Sequence, residues 1–470
     1  MDKDIIVIGG GPGGYTAAIR ASQCGYKVGL VERDALGGTC LNRGCIPTKA
    51  LYKNAEVINT YKELSEFGIN TNSEFTIDVG QIHARKGKVM DGLRSGIEEL
   101  IKANKIELYR GNAGFVDKNT LKIELEDGSE QEVTAEKFII ATGSAPIIPP
   151  IDGADIDGVY TSDEILSFKE IPQELLVVGG GVIGMEIASI FNSFGSKVTV
   201  VEFLPKILGQ VDTDVTKRLQ PILKKKGISI NTSTGVTKIE KDGTRFKMYA
   251  TSSKTKKDME FEGDAVLICT GRKPVTEGLN LDEIGVEFDR KGISTDENFK
   301  TSVDNIFAIG DVNGKGMLAH IASNQGIRAV EHIAGIEVES KGDIVPACIF
   351  IFPEIATVGL PEDEAKVNGI EYRTNKFMFA GNGKAMTMGE TAGYLKLIAS
   401  KEHEDPNKEV LLGAQIMGPH ASDLIHECTL AIANNIKLGD IKNVIHAHPT
   451  LSEVFIEALT GLVGEGIHSH

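Results

Sequence analysis

The chain contains no tryptophan, and only 6 of its 470 residues are cysteine. Without tryptophan, burial must rest on Ile, Val, Leu and Phe. So few cysteines exclude a disulfide scaffold, which needs dense cysteine in a short secreted chain. The expectation is a cytoplasmic protein in a reducing compartment, where a close cysteine pair is more often catalytic than structural. No apolar run approaches the length that spans a bilayer, so no membrane association is expected. The amino terminus enters a strand-like run at once (Asp4 to Ile8), with no basic and apolar leader before it, so no secretion signal is expected. Positive charge is scarce too: 50 Lys and Arg against 66 Asp and Glu give a formal net charge of -16. A nucleic-acid partner would require a basic face, and none is visible. The run Lys224-Lys225-Lys226, just before Gly227, reads as the basic end of a helix.

Glycine, by contrast, is abundant at 53 residues, and part of it is organised. A twenty-six-residue segment, Val7 to Glu32, recurs as Val177 to Glu202 at an offset of 170, with eleven identities. Each copy reads as an apolar strand, a glycine turn, a helix and a second apolar strand ending in an acid, which is the dinucleotide-binding unit. In the first copy Gly9 permits the tight turn, Gly11 lets backbone N–H groups approach a pyrophosphate, and Gly14 allows close packing of helix on strand. Glu32 follows at the end of the second strand, where a carboxylate accepts from ribose hydroxyls. Gly179, Gly181, Gly184 and Glu202 repeat the arrangement. A lone glycine fingerprint is weak; its placement between strand and helix, with the acid at the right distance, is not. Glu202 repels a 2′-phosphate and so favours NAD over NADP, with Lys206 the nearest cation that could offset it. Two such units imply two dinucleotides and electron transfer between them.

The same patterns predict an α/β chain: two Rossmann-like dinucleotide-binding domains followed by a C-terminal α+β domain. Pro146, Pro149 and Pro150 mark the first boundary. Each unit has a β insertion, and each closes with an apolar strand leading into Thr-Gly, at Thr142-Gly143 and Thr270-Gly271. The expected segments are 1–145, 146–272, 273–343 and 344–470.

Chemistry is suggested at two places. Cys40 and Cys45 are separated by four intervening residues, and Pro47 opens a helix through Lys49, so Cys45 sits at a helix N-terminus, where the dipole stabilises a thiolate. That spacing suits a redox pair. It also suits two inert thiols or part of a metal site, although zinc normally takes closer pairs and four ligands, and the other cysteines are scattered. No metal is expected. Lys49, one turn past Cys45, reads either as a solvated helix lysine or as a partner of the pair. Near the C-terminus His448-Pro449-Thr450-Leu-Ser-Glu453 has the spacing of a helix-capping box at Thr450 and Glu453. It also has the make-up of a general base, an imidazole with a carboxylate behind it.

Taken together, Gly-Gly-Thr-Cys40-Leu-Asn-Arg-Gly-Cys45-Ile-Pro-Thr-Lys49, Gly179 through Glu186, Thr270-Gly-Arg272, Ile309-Gly-Asp311, Met317-Leu-Ala-His320 and His448-Pro-Thr-Leu-Ser-Glu453 resemble the dihydrolipoamide dehydrogenase family of flavin disulfide reductases. The resemblance covers essentially the whole length. It implies FAD in the first unit, NAD in the second, a central segment completing the FAD site and a C-terminal interface domain. It implies that Cys40 and Cys45 form the redox-active disulfide and that Lys49 pairs with Glu186 near the flavin. Asp311 would bond the ribityl chain. Ala113, Thr142, Gly143, Ser144, Met317, Ala319 and His320 would contact FAD, and Val236 and Gly271 would line the NAD site. It implies a homodimer in which His448 and Glu453 enter the partner subunit's disulfide site. Arg43 departs from the aliphatic residue usual there and is expected to alter thiolate stability. The chain starts directly at the FAD unit, so a lipoylated carrier protein, or the lipoyl domain of a multienzyme complex, is expected as a separate partner. The rival readings are reduction of another disulfide with NADPH, which Glu202 opposes, and a flavin-binding redox sensor.

Overall fold

The computed structural model describes residues 1–71, 75–337 and 344–468, so the end of the segment expected at residue 343 lies outside the described residues. Strand Lys3–Ile8 is central to a parallel sheet. It pairs with Val28–Glu32 on one side and Glu130–Ile140 on the other, and Glu107–Asp117 and Ile306–Ala308 extend the two edges. Ile5, Ile6 and Val7 have no exposed surface, which is why this strand reads as an unbroken apolar run rather than an alternating one. The ends of Glu107–Asp117 and Glu130–Ile140 leave the sheet and form an antiparallel meander with Thr120–Leu125.

The second unit repeats the plan. Its parallel order is Ile228–Asn231, Lys197–Val201, Glu174–Val178, Ala265–Ile268 and Val159–Thr161. Its insertion is the antiparallel trio Thr234–Asp242, Arg245–Ser252 and Asp258–Gly263. Gly9 and Gly179 take φ values of 106° and 111°, and a Cβ on either would press into the carbonyl oxygen of Ala141 or Cys269, at 2.4 and 2.5 Å. The duplication therefore extends from the glycines to the strand ends that crowd them.

The last segment is a five-stranded antiparallel sheet, in the order Ala347–Ile349, Ile355–Gly359, Leu411–Met417, Tyr394–Ser400 and Tyr372–Met378. Helices Ala421–Ala433 and Glu453–Leu462 pack on it through Ile425, Val454 and Phe455. One apolar cluster joins Leu51 and Ala55 of the first unit, Ile187 and Phe191 of the second, and Ile349 and Ile351 of the last. Burial of that cluster fixes how the three parts sit around the cleft between them. Among the described residues no helix is long and apolar enough to cross a membrane.

One expected helix start is corrected: the helix after the cysteine pair begins at Cys45 itself, with Pro47 in its first turn rather than at its start. The C-terminal helix begins at Glu453, and the Glu453 carboxylate accepts the Thr450 N–H at 2.8 Å, which is one half of the expected capping box. The Thr450 hydroxyl reaches back to the carbonyl of Ala447 at 2.8 Å, which folds the preceding loop into a turn of its own.

Candidate active site

Both glycine turns, Glu32, Glu202, the cysteine pair, Lys49 and Glu186 line one continuous cavity of about 2120 Å³. A single drug-sized ligand occupies roughly 300–1,000 Å³, so this space suits two extended ligands rather than one compact one. A Cβ added at Gly181 would meet nothing within 4 Å, and one at Gly11 only the Cα of Gly38 at 3.9 Å. Both positions stand at helix N-termini, at the heads of Pro12–Gln23 and Val182–Phe194. Open space before a helix N-terminus is what a pyrophosphate needs. Gly14 and Gly184 do not face the cavity; an added Cβ there would collide with the carbonyl oxygens of Gly9 and Gly179, at 1.7 and 2.1 Å, so their role is close packing.

The two acids are held identically. Glu32 accepts the Gly10 N–H at 2.7 Å and the Asp34 N–H at 2.8 Å. Glu202 accepts the Gly180 N–H at 2.5 Å and the Leu204 N–H at 2.6 Å. Burial pushes the Glu32 carboxyl up, with the Gly10 N–H working against that rise. Lys206 does not face the ribose side: its ammonium donates to the carbonyl of Val211 at 2.7 Å and lies 3.4 Å from Asp363. It is therefore not poised to receive a 2′-phosphate.

Ala113, Thr142, Gly143, Ser144, Asp311, Met317, Ala319, Val236 and Gly271 all border the cavity. His320 does not. Its ring is exposed and bonds the carbonyl of Pro346 at 2.9 Å, because on the helix Ala319–Ile333 it points away from the face that carries Ala319 and Ala322. A residue absent from the expected set is Arg272. It donates through Nε to the Ser144 hydroxyl at 2.8 Å, and that hydroxyl donates to Asp311 at 2.6 Å. Arginine can only donate, so the direction of the chain is fixed, and the second unit orients Asp311 through Ser144.

Cys40 ends up on the short helix Gly38–Arg43 and Cys45 at the head of Cys45–Glu63, separated by the kink at Gly44. Asn42 anchors the first helix by donating to the carbonyls of Ala35, Leu36 and Gly38. The Cys40 side chain beside it, followed by the Lys49 ammonium, outweighs burial and draws the Cys45 thiol down to about 7. Cys40 moves the opposite way, because it lies against Cys45 and burial adds to the penalty. The two sulfurs are thus unlike, with Cys45 the readier to ionise. Arg43 is engaged elsewhere: its guanidinium pairs with Asp34, on the side of Glu32.

Lys49 donates to both carboxylate oxygens of Glu186, at 2.8 and 3.0 Å. Cys348, one of the scattered cysteines, also borders this cavity, and burial pushes its thiol up to about 11. Nothing in its local sequence marks it, since it arrives from a strand three hundred residues downstream of the pair. His448 and Glu453 form a pair at 2.8 Å, with His448 77% exposed and outside the cavity of its own chain.

Residues 3–326 match the pyridine nucleotide-disulphide oxidoreductase family, and residues 345–459 match the dimerisation domain of that family. The chain belongs to this family and is an oxidoreductase whose cofactors are FAD and NAD. Within the family it belongs with the dihydrolipoyl dehydrogenases. It is 40% identical to the dihydrolipoyl dehydrogenase of Bacillus subtilis over 99% of both chains. It is 42% identical to that of Chlamydia muridarum over 99% of this chain and 98% of the other. The crystal structure of LpdA from Mycobacterium tuberculosis matches with a TM-score of 0.89 at 26% identity, covering 98% of this chain and 99% of that one. The HOCl-induced flavoprotein disulfide reductase RclA from Escherichia coli matches at 0.85 and 28%, with the same coverage.

Proposed function

We propose that the chain oxidises protein-bound dihydrolipoyl groups to lipoyl disulfide while reducing NAD+ to NADH, within a 2-oxoacid dehydrogenase, acetoin dehydrogenase or glycine-cleavage system. The observation that carries this reading is where the cysteine pair stands: Cys40 and Cys45 border the same cavity as both glycine turns, with Cys45 at a helix N-terminus beside the Lys49–Glu186 pair. A redox disulfide needs such access to a bound cofactor; two inert thiols do not.

On this reading residues 1–145 bind FAD, 146–272 bind NAD, 273–343 complete the FAD site and 344–470 form the interface of a homodimer. FAD supplies a two-electron acceptor beside the sulfurs, and NAD+ receives the reducing equivalents as hydride. The chain's own groups do the rest. In the oxidised enzyme Cys40 and Cys45 are joined. With Nδ1 held by Glu453, the His448 ring offers Nε2 to a substrate thiol presented at the partner subunit's cleft, and takes its proton. The substrate thiolate attacks the Cys40 sulfur, the bond to Cys45 breaks, and Cys45 leaves as a thiolate that the Lys49 ammonium stabilises. The second substrate thiol closes the lipoyl ring and frees Cys40. A cytoplasmic location is part of the proposal, supported by the scarcity and scatter of cysteines outside the close pair.

Replacing Cys45 by Ser tests the assignment. Oxidation of dihydrolipoamide is expected to fall to background with flavin still bound at one equivalent per chain. Turnover at the normal rate would refute the role.

A further inference from the structure

Two segments far from Lys49 in sequence converge on its ammonium. Glu186 is one partner. The other is Phe350, in the turn between strands Ala347–Ile349 and Ile355–Gly359. Its backbone N–H donates to Glu186 Oε1 at 2.9 Å, and its ring centroid lies 4.5 Å from Lys49 Nζ. The ring is itself fixed. Tyr52, on the same helix as Lys49, meets it edge-on with centroids 5.7 Å apart and stacks on Phe352 at 4.5 Å. The Tyr52 hydroxyl donates to the carbonyl of Ile351 at 3.3 Å.

Lysine is a point charge on a flexible stem, and a single carboxylate holds such a group weakly when it is partly exposed. An aromatic face adds an attraction that a carboxylate alone does not provide. The position of this ammonium matters because of what surrounds it. The ionisable groups around it are Cys40 and Cys45 on the first unit, Glu186 on the second, and Cys348 on the third, with Glu354 and Asp423 behind Cys348. Lys49 favours the Cys45 thiolate and Glu186 opposes it, so the balance depends on where the ammonium stands between them.

We propose that Phe350 is a positioning residue: its ring and its backbone N–H together hold the Lys49–Glu186 pair in register with Cys45, so that the C-terminal domain sets how much thiolate the redox pair presents. This rests on the assignment of Cys45 as the sulfur facing the flavin, and the test separates the two. The flavin-loaded enzyme is reduced by two electrons and its long-wavelength thiolate–flavin absorbance is followed against pH. Phe350→Leu is expected to raise the midpoint by about half a unit, a roughly threefold loss of thiolate below it. kcat at neutral pH falls in step while KM for dihydrolipoamide holds, and Phe350→Tyr restores the midpoint. A trifluorinated phenylalanine at position 350 keeps the ring's shape and weakens its electrostatic face, so it is expected to move the midpoint in the same direction as leucine. An unmoved midpoint in the fluorinated protein overturns the proposal, whether or not the leucine variant folds. A wild-type enzyme with no such absorbance would refute the Cys45 assignment instead, and this inference with it.

Discussion

His448 Nδ1 lies 2.8 Å from one carboxylate oxygen of Glu453, and the other oxygen accepts the Thr450 N–H at 2.8 Å. The acid therefore holds the ring and the loop that carries the ring at the same time. Burial would raise the Glu453 carboxyl, but the Thr450 N–H and His448 outweigh it and leave the group lowered, hence ionised in the working range.

Replacement of His448 by Gln is expected to lower kcat for dihydrolipoamide oxidation by about a hundred-fold, the size of a lost acid–base catalyst. Glu453→Gln loses the charge and, with one acceptor oxygen where two are used, keeps only one of the two hydrogen bonds; the imidazole itself remains, so its deficit should be smaller than that of His448→Gln. Steady-state kinetics of the two variants check the order; a near-normal rate for His448→Gln would remove the imidazole from the reaction.

Glu202 spends both oxygens on backbone N–H groups and still borders the ribose side of the cavity, while Lys206 is turned toward Asp363. The wild-type enzyme should therefore prefer NAD+ to NADP+ strongly. Glu202→Ala is expected to lower kcat/KM for NAD+ by at least tenfold and to narrow the preference, since removing one carboxylate repulsion of about 1.4 kcal/mol is worth a factor of ten. Parallel kinetics with the two nucleotides decide it.

Lys396 is fully buried among Asp212, Asp214 and Glu362, at 2.5, 2.9 and 3.1 Å. Those three acids are close enough to hold a metal ion, but the ammonium stands between them and joins the second unit to the C-terminal sheet. Lys396→Met leaves the buried Asp212 without its cation, while Asp214 keeps Lys376 and Glu362 keeps Lys366, and is expected to destabilise the fold by about 3–5 kcal/mol. The pH dependence follows from the direction of each shift. Burial alone would raise the Asp214 carboxyl, but Lys376 and Lys396 bring it down to about 2, so its contribution is present above the ordinary carboxylate range and lost as pH falls through about 2. Lys396 is raised, because Asp212 and Asp214 outweigh burial; its contribution holds at neutral pH and is lost at strongly alkaline pH. Thermal melting of wild type and variant from pH 2 to 7 should converge at the acid end.

Much of this architecture was legible in the sequence where the backbone dictates residue type. Gly9 and Gly179 are needed for a turn that no Cβ permits, and the acids at 32 and 202 are set by strand length, so spacing alone revealed two dinucleotide units. The redox cysteines were legible because a helix N-terminus and a short gap are local features. What escaped was brought in from a distance. Phe350 and Cys348 reach the redox centre on strand ends whose local sequence carries no sign of it, and Arg272 acts on Asp311 only through Ser144. A motif position does not say which way a helix turns its side chain, and the His320 ring turns outside the cavity lining, to the carbonyl of Pro346. The capping box at Thr450 was half met: Glu453 accepts the Thr450 N–H, while the Thr450 hydroxyl turns back to Ala447.

The central claim is that the sulfur pair and the flavin stand in contact, with Cys45 as the inner thiolate. Anaerobic reductive titration watched by visible absorbance measures this directly. The first two-electron equivalent should produce a long-wavelength band while most of the flavin absorbance remains, and the band should fade as pH falls through about 7, where Cys45 takes up its proton. Direct bleaching of the flavin by that first equivalent, with no long-wavelength band at any pH, would contradict the account.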